Sequence, residues 1–182
     1  MPHISPLPHK EAPPEVTAVY DDFARRMSFP AAPNFILTQG HSPTVARGTW
    51  DAVRNVLVLG KIPRWIKEMM FVAISKDRKC QYCTSAHIAC CRMLGVSKEN
   101  LDGMVRTVDN IPDPKIRDMV QFAVKCSQEP QKLMQADFDK LRSHGLSTSE
   151  IMEIIGMSAL AVYANIIADA TAMTEDEMFG SL

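Results

Sequence analysis

Apolar residues recur at intervals of three and four along most of the chain, and this spacing is typical of helices with one buried face. Val53, Val56 and Leu57 form one such series, and Ile151 and Ile154 open another. We find no convincing run of alternating apolar and polar positions of the kind that predicts strands. The sequence therefore predicts an all-α fold, arranged as an antiparallel helical bundle.

Capping residues divide this pattern into separate helices. Ser42-Pro43 and Asp113-Pro114 each place an N-cap residue before a proline at the first helical position. Ser147 and Glu150 fit a capping box, and Gly145 fits the end of the helix before it. The predicted helices cover residues 15–28, 43–59, 63–76, 81–94, 98–107, 114–127, 132–143 and 148–172.

The first 14 residues differ in composition from the rest of the chain. They hold five prolines, which are Pro2, Pro6, Pro8, Pro13 and Pro14, out of the 12 in the sequence. Because proline interrupts helical hydrogen bonding, residues 1–14 are predicted to be an extended Pro-rich arm. Residues 15–182 are predicted to form a single all-α domain, which contains a helical hairpin at about residues 63–94.

Charge and hydrophobicity exclude several function classes. The net charge is -1 without a long run of one sign, which argues against a nucleic-acid partner. The longest apolar stretch, Ile154 to Ala168, is interrupted by polar residues and is predicted to be a buried helix rather than a membrane span. No secretory signal opens the chain, and its five cysteines then predict a reducing, cytoplasmic location.

The segment Cys80-Gln81-Tyr82-Cys83-Thr84-Ser85-Ala86-His87 carries the clearest chemical signal. On a helix, a spacing of four places Cys83 and His87 on one face, one turn apart. The imidazole could then act as the base that makes the Cys83 thiolate, the reactive form of cysteine. Cys80 lies three residues earlier, where it could close a disulfide with Cys83. The spacing thus predicts thiol redox chemistry.

Glu68 is predicted to join this group across the helical hairpin. It lies about as far before the turn as His87 lies after it, so the two side chains can face each other. A carboxylate would orient the imidazole, which gives a proton relay of Glu68, His87 and Cys83, with or without a water between them. Nearby positive charges could lower the thiol pKa or dock an acidic partner; they are Lys76, Arg78 and Lys79.

Several neighbouring residues allow two interpretations. Tyr82 could offer a phenol hydrogen bond or simply pack. Cys90 and Cys91 could be secondary thiols, although small buried hydrophobic residues are the commoner case. Cys126 is predicted to lie in the core.

Together these residues resemble the alkylhydroperoxidase D-like branch of the carboxymuconolactone decarboxylase superfamily, over residues 34–172. The resemblance depends on Glu68, the Cys80-x-x-Cys83-x-x-x-His87 motif and Gly95 at the end of that helix. It implies an all-helical fold, homo-oligomers that are commonly trimers or hexamers (a dimer is also compatible), and a peroxidase or disulfide-reductase activity.

The resemblance also implies residue roles. Cys83 would become a sulfenic acid on meeting peroxide, Cys80 would donate a proton and resolve it, and Glu68 with His87 would form the relay. One position departs from alkylhydroperoxidase D itself, which carries a second histidine where this chain has Tyr82. Carboxymuconolactone decarboxylases proper lack the cysteine pair.

The leading hypothesis is a thiol-dependent hydroperoxide reductase. Its partners would be a hydroperoxide substrate and an external dithiol or protein reductant, such as a lipoyl- or thioredoxin-type donor. No cofactor and no metal are expected. Three alternatives stay open: a protein-disulfide reductase or redox sensor; a zinc-binding module using Cys80, Cys83 and His87 with Glu68 or Cys90; and a lactone decarboxylase-like enzyme or non-catalytic oligomer.

Overall fold

Helices and their connections make up the computed structural model, which describes residues 1–180 and contains no strand within them. The predicted all-α fold is confirmed. The helix over Pro43–Ala52 continues directly into a π-helical segment, Val53–Val58. The α-helices are α1 (Pro14–Met27), α2 (Asn34–Gln39), α3 (Pro43–Ala52), α4 (Arg64–Asp77), α5 (Gln81–Met93), α6 (Lys98–Arg106), α7 (Pro114–Gln128), α8 (Gln135–Ser143), α9 (Thr148–Ala170) and α10 (Glu177–Gly180).

The predicted helices are all present, with corrections at their ends. The predicted helix 43–59 changes to π-helical hydrogen bonding at Val53, and α8 begins at Gln135 rather than 132 because Pro130–Lys132 form a 3-10 turn. The helices α2 and α10 were not predicted, since six and four residues are too few to show a helical period. The last two residues of the predicted domain, 181 and 182, lie outside the described residues.

The hairpin of α4 and α5 lies at the centre of the fold, and α4 also packs against α7 and α9. Every side chain of α4 from Ile66 to Ser75 is buried, so the helix contacts neighbours on all sides. The tight turn between α4 and α5 places Lys79 in the left-handed region, at φ 62°. The backbone N–H of Cys80 donates to the carbonyl of Ser75 at 2.9 Å, which closes the turn.

The helix α9 is longer than the apolar stretch Ile154–Ala168 that the sequence singled out. It has 23 residues and is long and apolar enough, by length and composition alone, to cross a membrane. Half of its most apolar window is buried within this fold, against α4 and α7. The inward side therefore forms core, as the sequence predicted for this stretch.

The Pro-rich arm runs along its own chain. The N–H of His3 donates to the carbonyl of Thr171 at 2.8 Å, and the N–H of Leu7 donates to the carbonyl of Leu37 at 3.1 Å. A 3-10 turn, His9–Glu11, lies between these contacts and α1. The arm is thus tied to the ends of α9 and α2.

A buried lysine holds the end of the π-helical segment. Lys67 on α4 is 1% exposed, and its Nζ donates to the carbonyl oxygens of Val56 at 2.9 Å and Leu59 at 2.5 Å. The Glu153 carboxylate lies 3.0 Å from the same Nζ. Lys67 therefore satisfies carbonyl groups that the helix end leaves without partners.

We predict that Lys67→Met lowers the free energy of unfolding by about 3 kcal/mol, because two carbonyls and a carboxylate lose their cation. Urea unfolding followed by circular dichroism measures this. Lys132→Met is the matched control, since Lys132 is an exposed lysine; its expected change is within about 0.5 kcal/mol. Equal stability of the two variants would contradict the structural role of Lys67.

Candidate active site

The contact between Glu68 and His87 joins the two helices of the hairpin. Glu68 is fully buried on α4, and its Oε2 lies 2.5 Å from Nδ1 of His87 on α5. The other carboxylate oxygen, Oε1, accepts a hydrogen bond from Nε of Arg64 at 2.9 Å. The structure thus brings together the two residues that the sequence predicted to face each other, and it adds Arg64.

These neighbours keep Glu68 ionised. Burial alone would raise the pKa of its carboxyl group, but the charges and hydrogen bonds of His87 and Arg64 outweigh burial and lower the pKa below its ordinary value. The buried carboxylate can therefore fix the orientation of the imidazole at Nδ1. The Phe71 ring stacks on the His87 ring, with ring centroids 3.5 Å apart and ring planes 15° apart. This stacking fixes the plane of the His87 ring.

The two thiols meet at the N-terminus of α5. Cys80 is the N-cap residue and Cys83 lies in the first turn, and both are free and buried. The side chain of Cys80 hydrogen-bonds to Cys83 and also contacts Asp169. The hydrogen bond to Cys83 and burial raise the pKa of the Cys80 thiol far above its ordinary value. The raised pKa keeps the proton on the Cys80 thiol at neutral pH.

An apolar pocket lies beside Cys83 and His87, with about 490 Å³ of space free of protein atoms, part of it open to solvent. Its polar groups are few and include the Cys83 and Cys90 thiols and the His87 ring. Its walls come from distant parts of the chain: α1, α2, the π-helical segment, α4, α9 and α10. The main apolar wall residues are Phe23, Phe29, Phe35, Leu57, Phe71 and Phe179.

Tyr82, between the two cysteines, is tied to the C-terminal segment. Its hydroxyl donates to Oδ2 of Asp176 at 2.7 Å and accepts from the backbone N–H of Phe35 at 3.0 Å. Burial, followed by the charge of Asp176, raises the pKa of the Tyr82 phenol. Of the two interpretations of Tyr82, the hydrogen-bonding one holds, but the partners belong to α2 and the segment before α10. The Tyr82 hydroxyl therefore links α5 to two segments of the pocket wall and makes no hydrogen bond to Glu68 or His87.

We predict that Tyr82→Phe lowers the free energy of unfolding by about 1–3 kcal/mol, because the buried N–H of Phe35 and the Asp176 carboxyl lose a partner. Thermal and urea unfolding measure the change. Tyr163→Phe serves as control, since Tyr163 is 40% exposed and its hydroxyl bonds to Thr49. A Tyr82→Phe protein as stable as the wild type would contradict this connection.

The remaining cysteines are buried. Cys126 lies in the core as predicted, and burial raises the pKa of Cys90 and Cys91. The zinc alternative combined Cys80, Cys83 and His87 with Glu68 or Cys90. Among the described residues, the group of side chains close enough together to hold a metal ion consists of Glu68, His87 and Cys90, without Cys80 and Cys83. Cys80 lies instead beside a surface groove whose charged lining residues are Lys76 and Lys79.

Sequence reasoning missed Arg64, Phe71 and most of the pocket wall. Arg64 had a usable signal, because it precedes Glu68 by four residues on one helix, the spacing at which opposite charges pair. Phe71 had none, since stacking on His87 depends on how α4 and α5 pack. The aromatic residues of the wall lie up to 156 positions apart, as Phe23 and Phe179 do, and local patterns carry no information on such contacts.

No family model matches the sequence, and no curated protein matches it significantly. Solved structures do share the fold. An alkylhydroperoxidase D core protein from Ralstonia eutropha JMP134, described as uncharacterized and peroxidase-related, superposes with a TM-score of 0.88 at 23% identity, over 98% of this chain and 94% of that chain. An uncharacterized peroxidase-related protein from Silicibacter sp. TM1040 gives 0.84 at 24% identity, over 95% and 91%.

The debrominase Bmp8, whose structure is also known in complex with 2,3,4-tribromopyrrole, is a further similar structure. It superposes with a TM-score of 0.81 at 22% identity, over 98% of this chain and 94% of that chain. Proteins described by different activities therefore share this fold, and the activity has to be argued from the site.

Proposed function

We propose that this chain, which has the alkylhydroperoxidase D-like fold, is a thiol-dependent hydroperoxide reductase. Cys83 is the attacking thiol, Cys80 resolves it, and Glu68 with His87 forms the proton relay. The observation that carries the proposal is the convergence at one pocket: the free thiol of Cys83 lies beside a second free thiol, Cys80, and Cys83 shares the pocket with His87, whose Nδ1 is held by a buried carboxylate.

The chemistry takes place in three steps. The Cys83 thiolate attacks the terminal oxygen of a hydroperoxide, the O–O bond breaks, and the alcohol leaves with a proton that the relay supplies. Cys83 is then a sulfenic acid. The Cys80 sulfur attacks the Cys83 sulfur, water leaves, and a disulfide forms. An external dithiol reduces the disulfide and is itself oxidised, which restores both thiols.

Mass spectrometry before and after one equivalent of cumene hydroperoxide tests the proposal. The expected product is a Cys80–Cys83 disulfide, two mass units lighter than the dithiol form (loss of two hydrogens). Chymotrypsin separates the two cysteines by cleaving after Tyr82. In Cys80→Ser, dimedone should trap a sulfenic acid on Cys83. A protein whose two thiols remain reduced after the peroxide has been added would refute the assignment.

The groove beside Cys80 suggests where a reductant approaches. Lys76 and Lys79 line it together with Cys80, whereas Cys83 faces the apolar pocket. We therefore propose that the dithiol or protein reductant, such as a lipoyl- or thioredoxin-type donor, attacks the disulfide from the Cys80 side. Cys83 would then leave as the thiolate, at the helix N-terminus that favours it.

A second candidate function is reductive dehalogenation of a halogenated aromatic compound. The aromatic walls of the pocket favour it, as does the fold shared with a debrominase. Here the thiolate of Cys83 would take the halogen as a sulfenyl halide while the ring carbon gains a proton. Cys80 would then displace halide to give the same disulfide.

Parallel assays with cumene hydroperoxide and 2,3,4-tribromopyrrole separate the two candidates, because only dehalogenation releases bromide. The disulfide should form with the hydroperoxide and no bromide should appear with the bromopyrrole. Bromide release with an unreacted hydroperoxide would select dehalogenation instead.

We also propose that the chain forms a homo-oligomer, a trimer or a hexamer, through α9. Met152, Ala159 and Ile166 follow one another at intervals of seven residues on its outer face, and Met152 and Ile166 are 58% and 55% exposed.

We predict that Ile166→Glu lowers the molar mass measured by light scattering, because a charge enters an apolar contact. Met134→Glu is the control, since Met134 is 65% exposed and lies outside α9. A wild-type protein that elutes as a monomer would contradict the proposal.

A further inference from the structure

Three different metal-binding side chains meet next to the pocket. Glu68 on α4 and His87 and Cys90 on α5 each bring one donor atom, and these atoms lie within 4.8 Å of one another. A carboxylate oxygen, an imidazole nitrogen and a thiolate sulfur are all ligands of Zn²⁺ in proteins. The two helices pack tightly against each other, so the donors are held together by the fold rather than by a mobile loop.

We propose that Glu68, His87 and Cys90 bind a thiophilic divalent cation such as Zn²⁺, which enters through the apolar pocket and blocks the thiol chemistry. Cys83 is not one of the three donors that already lie close together, but it lies one turn before His87 and lines the same pocket as His87 and Cys90, so a rotation of its side chain would bring it in as the fourth ligand. Four ligands of these types complete the tetrahedral shell that Zn²⁺ prefers. On binding, the two thiols lose their protons to solvent.

The positive charge of Arg64 neutralises the net negative charge that such a buried cluster would otherwise carry. One carboxylate and two thiolates carry three negative charges, which the two positive charges of the ion and the one of Arg64 balance. Arg64 bonds to Glu68 through Nε and also contacts the Cys90 side chain. A neutral cluster avoids the large cost of burying net charge. The Arg64 side chain is 17% exposed and can shift to make room for the ion.

Binding would stop the proposed reaction, because the ion takes both the attacking thiol and the imidazole of the relay. This consequence rests on the proposed function, whereas metal binding itself does not. The site also differs from one built on the Cys80-x-x-Cys83 pair, since it leaves Cys80 free. Adjacent Cys91 offers a matched comparison: it is equally buried, but it is not one of the three donors and does not line the pocket.

Titration of the reduced, metal-free full-length protein tests the proposal. Zn²⁺ affinity is measured by competition with a chromophoric chelator, and Cd²⁺ reports thiolate ligands through its ultraviolet charge-transfer absorption. The wild type should bind one ion through two thiolates. Cys90→Ala should weaken Zn²⁺ binding at least tenfold and remove about half of the Cd²⁺ absorption, whereas Cys91→Ala and Cys80→Ser should keep both.

Alkylation of the wild-type protein gives a second measurement that does not depend on a variant folding correctly. Bound Zn²⁺ should protect Cys83 and Cys90 from N-ethylmaleimide and leave Cys80 as reactive as without the ion. Zn²⁺ should also inhibit peroxide consumption by the wild type. In Cys90→Ala, the same Zn²⁺ concentration should inhibit a smaller fraction of the rate that this variant shows without zinc.

Binding that survives Cys90→Ala, or that is lost in Cys80→Ser, would overturn the site. Failure of peroxide consumption without zinc would instead count against the proposed function and leave the titration result standing.

Discussion

Cys83→Ser is expected to reduce peroxide consumption by on the order of 10³-fold or more, because a serine hydroxyl is not ionised near neutral pH and cannot replace a thiolate nucleophile. Stopped-flow measurement with reduced protein and cumene hydroperoxide reports this loss directly. Cys83 is the cysteine of the pair that faces the pocket, whereas Cys80 faces the groove.

Two variants complete this experiment. Cys80→Ser should still consume one equivalent of peroxide in a single turnover but should stop at the sulfenic acid, since no resolving thiol is present. Cys126→Ser is the control for a buried cysteine remote from the pocket and should react like the wild type. If Cys80→Ser loses the first turnover while Cys83→Ser keeps it, the two roles are reversed.

Glu68→Gln is expected to lower the rate of peroxide consumption by about 100-fold, because a neutral amide no longer holds His87 in the orientation and charge state that the relay requires. It should also lower the free energy of unfolding by about 3 kcal/mol, since Arg64 loses its buried carboxylate partner. Glu153→Gln is the matched control: it removes a carboxylate from a lysine away from the pocket. If Glu68→Gln and Glu153→Gln lost activity equally, the role of Glu68 would be structural rather than part of the relay.

The stability difference between the wild type and Glu68→Gln should depend on pH. The pKa of Glu68 is lower in the folded protein than in the unfolded chain, so its carboxylate contributes stability above the unfolded value of about 4.3. That contribution is lost as the pH falls through the folded value. Urea unfolding at several pH values should therefore show the two proteins approaching each other in stability below about pH 4, and a constant difference would contradict an ionised Glu68.

Much of the site follows from short-range pattern. The spacing of Cys83 and His87 and the position of Glu68 before the turn depend only on helix geometry and on the length of the connection, and both can be read along the chain. The Arg64–Glu68 pair likewise depends only on a spacing of four residues along one helix. The π-helical segment Val53–Val58 could not be predicted, because its apolar spacing resembles that of an α-helix and its end is held by Lys67 from another helix.

By itself, the sequence determined the helices, the spacing of Cys80, Cys83 and His87 and the carboxylate that faces His87, because each depends on residues close together in the chain. Tertiary structure decided what surrounds them. Tyr82 bonds to Asp176, 94 positions away, and the pocket is closed by aromatic side chains from both ends of the chain. Tertiary packing also brought Cys90 beside Glu68 and His87, whereas the sequence left open whether Cys90 is a core residue, a secondary thiol or a metal ligand. Such contacts arise when distant helices pack to bury apolar surface, and no local spacing encodes them.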